Sequence, residues 1–193
     1  MKKEKLTLAT IYPFHVTSYG IGDAALNITK NMNADDFTAV LYCPASAPEV
    51  SDNIKKDLIP SVVKFFFYNF LNSKLQTAIL NKLFLYHTRM ADVVYIWPGV
   101  TLDLVEKINQ RDQIIVFENI NCHQETAKNI LEKEYKSLDI VNSKTITQHD
   151  TEAETKLLSF CDFIFSPSPQ VFQSLIAAGI DEYKILHSSY GLK

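Results

Sequence analysis

Residues 160–193 read FCDFIFSPSPQVFQSLIAAGIDEYKILHSSYGLK, and this stretch decides the fold. Phe163 to Phe165 is a short apolar run with a β-branched centre, which predicts a buried strand. Pro167 must end that strand, because proline lacks the N–H that sheet pairing needs. The residues that follow predict a helix and then a second strand.

The two ends of this helix are marked in the sequence. Ser168 is a favoured N-cap residue, and Pro169 fits the first helical turn, where a missing N–H costs nothing. Gly179 supplies the left-handed residue that often follows a helix, and Ile185 and Leu186 begin the next apolar run. Two strands joined by a helix are expected to be parallel.

The rest of the chain alternates in the same way, with a loop and a short helix predicted for Ser46 to Pro60. Alternating strands and helices indicate a mostly parallel sheet covered on both faces. We therefore expect one Rossmann-like domain over residues 1–193, an α/β fold with three layers, α/β/α. The other predicted strands are Leu6 to Ile11, Phe37 to Tyr42, Val93 to Trp97 and Ile114 to Phe117; the other predicted helices are Ala24 to Met32, Lys74 to Met90, Leu102 to Asn109, His123 to Ser137 and Thr151 to Phe160. In the second of these helices Leu75, Ile79, Leu83, Tyr86 and Met90 are expected to form one buried stripe.

Composition excludes several classes of function. The net charge of −3 and the pI near 5.9 give no reason to expect nucleic acid as a partner. Cys43, Cys122 and Cys161 are widely spaced, which suits buried thiols in a reducing compartment and predicts a cytoplasmic protein. The five histidines are scattered and no serine lies in a G-x-S-x-G pattern, so neither a metal site nor that kind of hydrolase is predicted.

The loop YPFHVTSYGIGDAAL, residues 12–26, contains the spacing G-x-G-x-x-A. It is a weak match to the dinucleotide fingerprint, because several residues separate Tyr12 from Gly20 and no acidic residue follows the next strand. We predict no nicotinamide or flavin cofactor. The candidate ligand-binding residues of this loop are Tyr19, Gly20, Gly22 and Asp23, a role implied by the family resemblance described below. The alternative is that the glycines are flexible turn residues before a helix.

Other polar residues follow the ends of predicted strands. Glu118, Asn119, Asn121 and His123 come after one strand, where a carboxylate and amides can bind sugar hydroxyls and an imidazole can move a proton. The alternative is that they tie the loop to its own backbone and begin the next helix.

Further candidates lie at other strand ends. Trp97 either stacks on a sugar ring or fills the rim of the core. Ser166 and Ser188 should share the carboxyl edge at which open α/β sheets bind ligands.

Residues 54–90 are basic and aromatic. Six lysine or arginine side chains stand against Asp57 alone, and five aromatic residues fall between Phe65 and Phe70. This combination suits an anionic membrane surface. The alternative is that the aromatic side chains form core and the lysines are solvated.

The chain resembles the N-terminal domain of GT-B glycosyltransferases of the retaining family 4 type. One match is FENINCHQETAKNILEKEY, residues 117–135, and the order of the other motifs also fits that family. The other matching residues are Asp162, Pro167 with Ser168, Gly179, Lys184 with Ile185, and Gly191 with Leu192.

The resemblance implies transfer of a hexose from a nucleotide sugar to a glycan or lipid-linked acceptor in cell-envelope polysaccharide synthesis. The nucleotide sugar is the co-substrate, and no further cofactor is expected. It makes Glu118 and His123 the catalytic candidates, and places Ser166, Ser168, Tyr190 and Gly191 with the ligand-binding residues. A donor-binding C-terminal domain is expected outside this chain, so that the isolated chain is inactive and lies in the cytoplasm or at the inner face of the membrane. The alternatives are a self-sufficient binding module for a nucleotide or small ligand and a non-catalytic subunit of a two-chain transferase.

Overall fold

A computed structural model describes residues 5–33, 36–140 and 145–189 of the protein. Seven strands form a parallel sheet in the order β3-β2-β1-β4-β5-β6-β7. The predicted Rossmann-like α/β fold is therefore confirmed. The strands are Leu6–Ile11 (β1), Phe37–Cys43 (β2), Lys55–Asp57 (β3), Val93–Ile96 (β4), Ile114–Glu118 (β5), Phe163–Ser166 (β6) and Ile185–His187 (β7).

Helices connect most of the consecutive strands. The helices are Gly20–Asn31 (α1), Ser61–Phe70 (α2), Ser73–His87 (α3), Leu102–Asn109 (α4), Gln124–Ser137 (α5), Gln148–Ser159 (α6) and Pro169–Ala177 (α7), with a 3₁₀ turn at Glu182–Lys184. None of the helices among the described residues has the length and apolar character needed to cross a bilayer.

The chain divides into two compact units, residues 1–115 and 116–193. In the first unit, β1 pairs with β2 on one side and with β4 on the other, and Ile11, Leu41 and Val94 are fully buried. In the second unit, β6 pairs with β5 and β7, and Ile164 and Leu175 are fully buried. Each unit thus has apolar residues of its own strands and helices in its core.

Residues 160–189, which begin with the strand β6, fold as the sequence predicts. The Ser168 hydroxyl accepts a hydrogen bond from the Val171 N–H, and Gly179 has a φ of +83°. The Ser188 N–H donates to the Ser166 carbonyl at 2.9 Å, so the two strand ends do meet at one edge. Local rules decide this segment because each turn residue has one favoured conformation.

Two predictions in the first unit are wrong. The loop from Ser46 to Pro60 contains the edge strand β3 instead of a short helix; this strand is polar and largely exposed, so it lacks the apolar run that marks a buried strand. The stripe predicted on α3 is also not buried, because Leu75 is 45% exposed and Met90 79% exposed. The helix packs instead through Phe84, which is 1% exposed.

Candidate functional site

The candidate site is a cleft of about 690 Å³ in the first unit. Its base is formed by Pro13, Phe14 and His15 after β1 and by Pro44 and Ala45 after β2. Both loops leave the carboxyl ends of parallel strands, which is where open α/β sheets bind ligands. The strand order also reverses beside β1, whose two neighbours are β2 and β4.

Backbone hydrogen bonds hold the two loops together. The Val16 N–H donates to the Ala45 carbonyl at 3.0 Å, and the Ala47 N–H donates to the Val16 carbonyl at 2.9 Å. A lone parallel bridge joins Val16 to Ser46. The base of the cleft is therefore an extension of the β1–β2 pairing.

Phe14 is placed by a glycine after β4. Gly99 has a φ of +100°, and a side chain there would overlap the Phe14 ring. The same ring packs edge-on against Tyr12, with the ring centroids 5.8 Å apart. Phe14 is 54% exposed, so one face of its ring is open to the cleft.

Helix α2 forms one wall and has three different faces. Lys64, Phe65, Tyr68 and Asn69 line the cleft, and their spacing places them on one side of a helix. Phe67, 5% exposed, is the residue that anchors the helix in the core. The remaining face is exposed and apolar, and its members are Val62, Phe66 and Phe70.

Helix α3 forms the other wall with Ser73, Gln76, Thr77 and Leu80, again on one helical side. The Gln76 amide N–H groups donate to the backbone carbonyls of Phe67 and Leu71, at 3.2 and 2.8 Å. These bonds join the two walls of the cleft at their short connection.

Asp57 connects α2 to the edge of the sheet. Its carboxylate lies 3.3 Å from the ammonium groups of both Lys55 and Lys64, and it accepts hydrogen bonds from the Ser46 N–H and hydroxyl. Burial acts to raise the pKa of Asp57, but the Ser46 hydrogen bonds and Lys55 together hold that pKa below its ordinary value. The charge of Lys64 is therefore already paired.

Two acidic side chains near Asp57, the Cys43 thiol and the Tyr68 phenol, remain neutral. Burial, with a contribution from Asp57, raises the pKa of the Cys43 thiol to about 12. Burial, with contributions from Cys43 and Asp57, also raises the pKa of the Tyr68 phenol above its ordinary value. The Tyr68 hydroxyl in the cleft is thus a neutral group that can donate a hydrogen bond.

The candidate residues at the start of α1 do not share one environment. Tyr19 and Gly20 are exposed, and Asp23 is half-buried in the first turn, so these three keep their predicted access to ligand. The role predicted for Gly22 needs correction. It is buried, and a Cβ there would lie 3.2 Å from the Val16 Cα and 3.3 Å from the Thr17 nitrogen, so the close approach is to the chain's own loop.

The predicted stacking of Trp97 on a sugar is also corrected. The indole is 1% exposed and packs edge-on against Tyr12 and Tyr95, with centroid separations of 6.1 and 6.0 Å. Its burial supports the alternative, in which Trp97 is a core residue.

The polar group after β5 is enclosed instead of open. Glu118 and Asn119 are each 3% exposed, the Asn119 N–H donates to the Phe165 carbonyl at 3.1 Å, and the Asn119 amide donates to the Asn121 carbonyl. Ser166 is fully buried and donates to the Ser168 carbonyl. The expectation that Glu118, Asn119 and Ser166 face a ligand is therefore corrected, because all three residues are buried.

His123 is corrected for the same reason, since the imidazole is fully buried. Its Nδ1 accepts the Glu125 N–H and so caps α5, and its Nε2 lies 3.0 Å from the Thr155 hydroxyl and 3.4 Å from the Glu154 carboxylate. Burial raises the pKa of Glu154 despite the Gln124 N–H bond and the nearby imidazole. This arrangement holds α5 against α6 and gives the ring no access to substrate.

The remaining candidates are divided between exposed, capping and undescribed positions. Asn121 is exposed, Ser168 caps α7, and Tyr190 and Gly191 lie outside the described residues. Among residues 5–33, 36–140 and 145–189, no three His, Cys, Asp or Glu side chains are grouped to hold a metal ion.

Sequence reasoning missed the residues that line the cleft. No sequence pattern marked Phe14, His15 or Gln76 as ligand-binding, and the aromatic run that contains Phe65 and Tyr68 predicted only a membrane surface or core packing. The signal was the basic and aromatic segment 54–90, which also supplies both helical walls. Its alternative reading as core is wrong for most of these aromatic residues, since Phe65 is 73% exposed.

No family model and no curated protein matches the chain. Several solved structures have a similar fold. The Anabaena protein HepE, solved with UDP and glucose, has a TM-score of 0.56 at 13% identity over 97% of this chain and 45% of its own. A UDP-N-acetylglucosamine 2-epimerase has a TM-score of 0.58 at 10% identity, over 96% of this chain and 48% of its own.

A third neighbour is the lipopolysaccharide outer core galactosyltransferase WaaB, with a TM-score of 0.53 at 10% identity, over 94% of this chain and 44% of its own. The chain thus spans less than half the length of each neighbour. At these identities the likeness shows the fold alone, which is the α/β fold of about half of each of these three proteins.

Proposed function

We propose that this chain is the N-terminal, acceptor-side domain of a GT-B glycosyltransferase that transfers a sugar from a nucleotide-sugar donor to a hydroxyl group. The acceptor is a glycan or a lipid-linked molecule. The observation that carries the proposal is the cleft of about 690 Å³ at the carboxyl ends of β1 and β2, beside the point where the strand order reverses.

The chemistry of the cleft suits an acceptor better than a nucleotide diphosphate. Phe14, Phe65 and Tyr68 offer aromatic surface, and the Tyr68 hydroxyl is neutral. Lys64 is already paired with Asp57. Stabilising a departing diphosphate requires positioned donors or cations, which we assign to a second domain that binds the donor.

A second candidate is a nucleotide-sugar epimerase, which the similarity to a UDP-N-acetylglucosamine 2-epimerase favours. Such an enzyme changes the donor sugar and needs no acceptor hydroxyl. A stand-alone binding module and a non-catalytic subunit are further alternatives, and both predict no turnover in any longer form of the protein.

The test uses the protein expressed from its complete reading frame. It is incubated with a panel of radiolabelled nucleotide sugars, with and without glycan and lipid-linked acceptors. We expect label to move to an acceptor, and residues 1–193 alone to give no product. Conversion of the donor sugar without an acceptor supports the epimerase. Turnover by residues 1–193 alone contradicts the proposal that a second domain is needed to bind the donor.

We also propose that the surface formed by α2 and α3 contacts the anionic inner face of a cytoplasmic membrane. Residues 54–90 contain six cationic side chains against one carboxylate, and α2 exposes Val62, Phe66 and Phe70. Exposed aromatic residues beside lysines favour a surface with anionic headgroups.

A further inference from the structure

The cleft and the exposed aromatic face of α2 are continuous. Phe65 lines the cleft and contacts Phe70 edge-on, with ring centroids 6.1 Å apart. Phe70 in turn stacks on Phe66 at 5.0 Å. Because Phe66 and Phe70 belong to the outer face of the helix, apolar surface runs without a break from inside the cleft to solvent.

Two amide side chains that line the cleft already donate hydrogen bonds to the backbone. The Gln76 amide nitrogen donates to two backbone carbonyls of the α2–α3 connection, and the Asn69 amide nitrogen donates to the Phe65 carbonyl at 2.8 Å. These two amides are therefore engaged with the protein, whereas the neutral Tyr68 hydroxyl can still donate to the polar end of a ligand. The aromatic and aliphatic lining, which includes Leu80, favours a ligand with an apolar part.

We infer that the cleft binds the apolar chain of a lipid-linked acceptor, with the chain entering over Phe65 from the outer face of α2. The inference rests on the proposed function and specifies its acceptor. The cationic surroundings fit this occupant, because residues 54–90 carry six positive side chains against Asp57, and lipid carriers with phosphate headgroups are anionic. A volume of about 690 Å³ accommodates several methylene groups and a sugar ring.

The inference is tested by binding, which needs no turnover. Residues 1–193 are titrated calorimetrically with methyl, butyl, hexyl and octyl β-D-glucoside, each below its micelle concentration. If the chain is buried in the cleft, affinity should rise roughly three- to fourfold for each added methylene group. Equal affinity across the series overturns the inference.

Two substitutions separate the cleft from the outer face. Thr77→Phe fills the cleft, and its matched control Thr145→Phe adds the same ring at an exposed position that does not line it. We expect Thr77→Phe to abolish the dependence on chain length, and Thr145→Phe and Phe66→Ser to retain it. Circular dichroism and the melting temperature verify that each variant is folded.

The outcomes distinguish this inference from the proposed function. Loss of the dependence in Phe66→Ser but not in Thr77→Phe places the chain on the outer face and overturns the inference. If affinity rises with alkyl chain length but the complete protein transfers no sugar, the apolar ligand of the cleft is supported and the transferase is rejected. Transfer to soluble glycans without any alkyl dependence rejects the lipid chain and supports the transferase.

Discussion

The ring of Phe14 lies against Gly99 and occupies the space that a side chain at position 99 would need. The two residues come from the loops after β4 and β1, and only one of them lines the cleft. The shape of the cleft therefore depends on a glycine outside its lining.

Gly99→Ala should lower the free energy of unfolding by roughly 2 to 4 kcal/mol, because it combines left-handed strain with displacement of the Phe14 ring. The matched control is Gly179→Ala, which has a similar φ of +83° but open space around the new Cβ, and should show the strain alone. Chemical denaturation measures both. Combining Phe14→Ala with Gly99→Ala should recover part of the loss, and strict additivity of the two changes would show that the new methyl group and the Phe14 ring do not compete for space.

Asp57→Asn should loosen α2, because it removes the ion pair between Asp57 and Lys64 and weakens the hydrogen bonds from Ser46. It should lower the free energy of unfolding by about 1 to 2 kcal/mol after solvent screening. The pKa of Asp57 is depressed in the folded protein, so the folded state binds fewer protons than the unfolded chain. Its contribution is therefore complete above the unfolded-state pKa, ordinarily 3.8, and is lost as the pH falls through the folded-state pKa. Urea unfolding between pH 3 and 7 should show the smallest difference between Asp57→Asn and the parent at the acidic end, and a constant difference contradicts the assignment.

Gly22→Val should reduce stability by roughly 1 to 3 kcal/mol, since its side chain meets the backbone at Val16 and Thr17. Ala24→Val, in the same helix but half-buried, is the control for adding a β-branched residue. Thermal melts compare the two. An unchanged melting temperature with reduced transfer by the complete protein would restore the ligand-contact role that the sequence suggested.

His123→Ala should destabilise the protein by roughly 2 to 4 kcal/mol, because it removes the cap of α5 and leaves Thr155 and Glu154 without their buried partner. The exposed His149→Ala should stay within about 0.5 kcal/mol of the parent. Denaturation curves decide the point. A stable His123→Ala protein with lost transfer activity would instead support the catalytic role.

Residues 1–193 should co-sediment with liposomes that contain anionic lipid at low salt and be released as salt rises. The reason is that exposed lysines attract an anionic membrane surface only within a Debye length. Replacing the exposed Lys56, Lys74 and Lys82 by glutamate should abolish binding. The same change of charge at Lys128, Lys133 and Lys136 on α5 is the control and should have little effect. Equal sedimentation with neutral liposomes would remove the electrostatic part of the proposal.

The sequence alone determines the parts of this fold that local rules control. The strand at β6, the Ser168 cap, Pro169 in the first turn and the left-handed Gly179 all follow from the preferences of single residues, and the structure has each of them. Parallel pairing follows as well, because a strand, a helix and a strand in sequence allow little else.

Tertiary structure decides which side of each helix or strand is buried and which side is exposed to solvent or ligand. Gly22 lies in the first turn of α1 and His123 caps α5, both near the carboxyl ends of strands, as a ligand site requires, yet both are buried. Gly22 packs against Val16 in the preceding loop, and His123 contacts Thr155, which is 32 residues away in the sequence. The aromatic residues of α2 are exposed because Phe67 alone anchors that helix, and no periodicity within ten residues fixes which row will find a partner. The cleft likewise combines two loops and two helices, so its lining depends on long-range packing that no local pattern encodes.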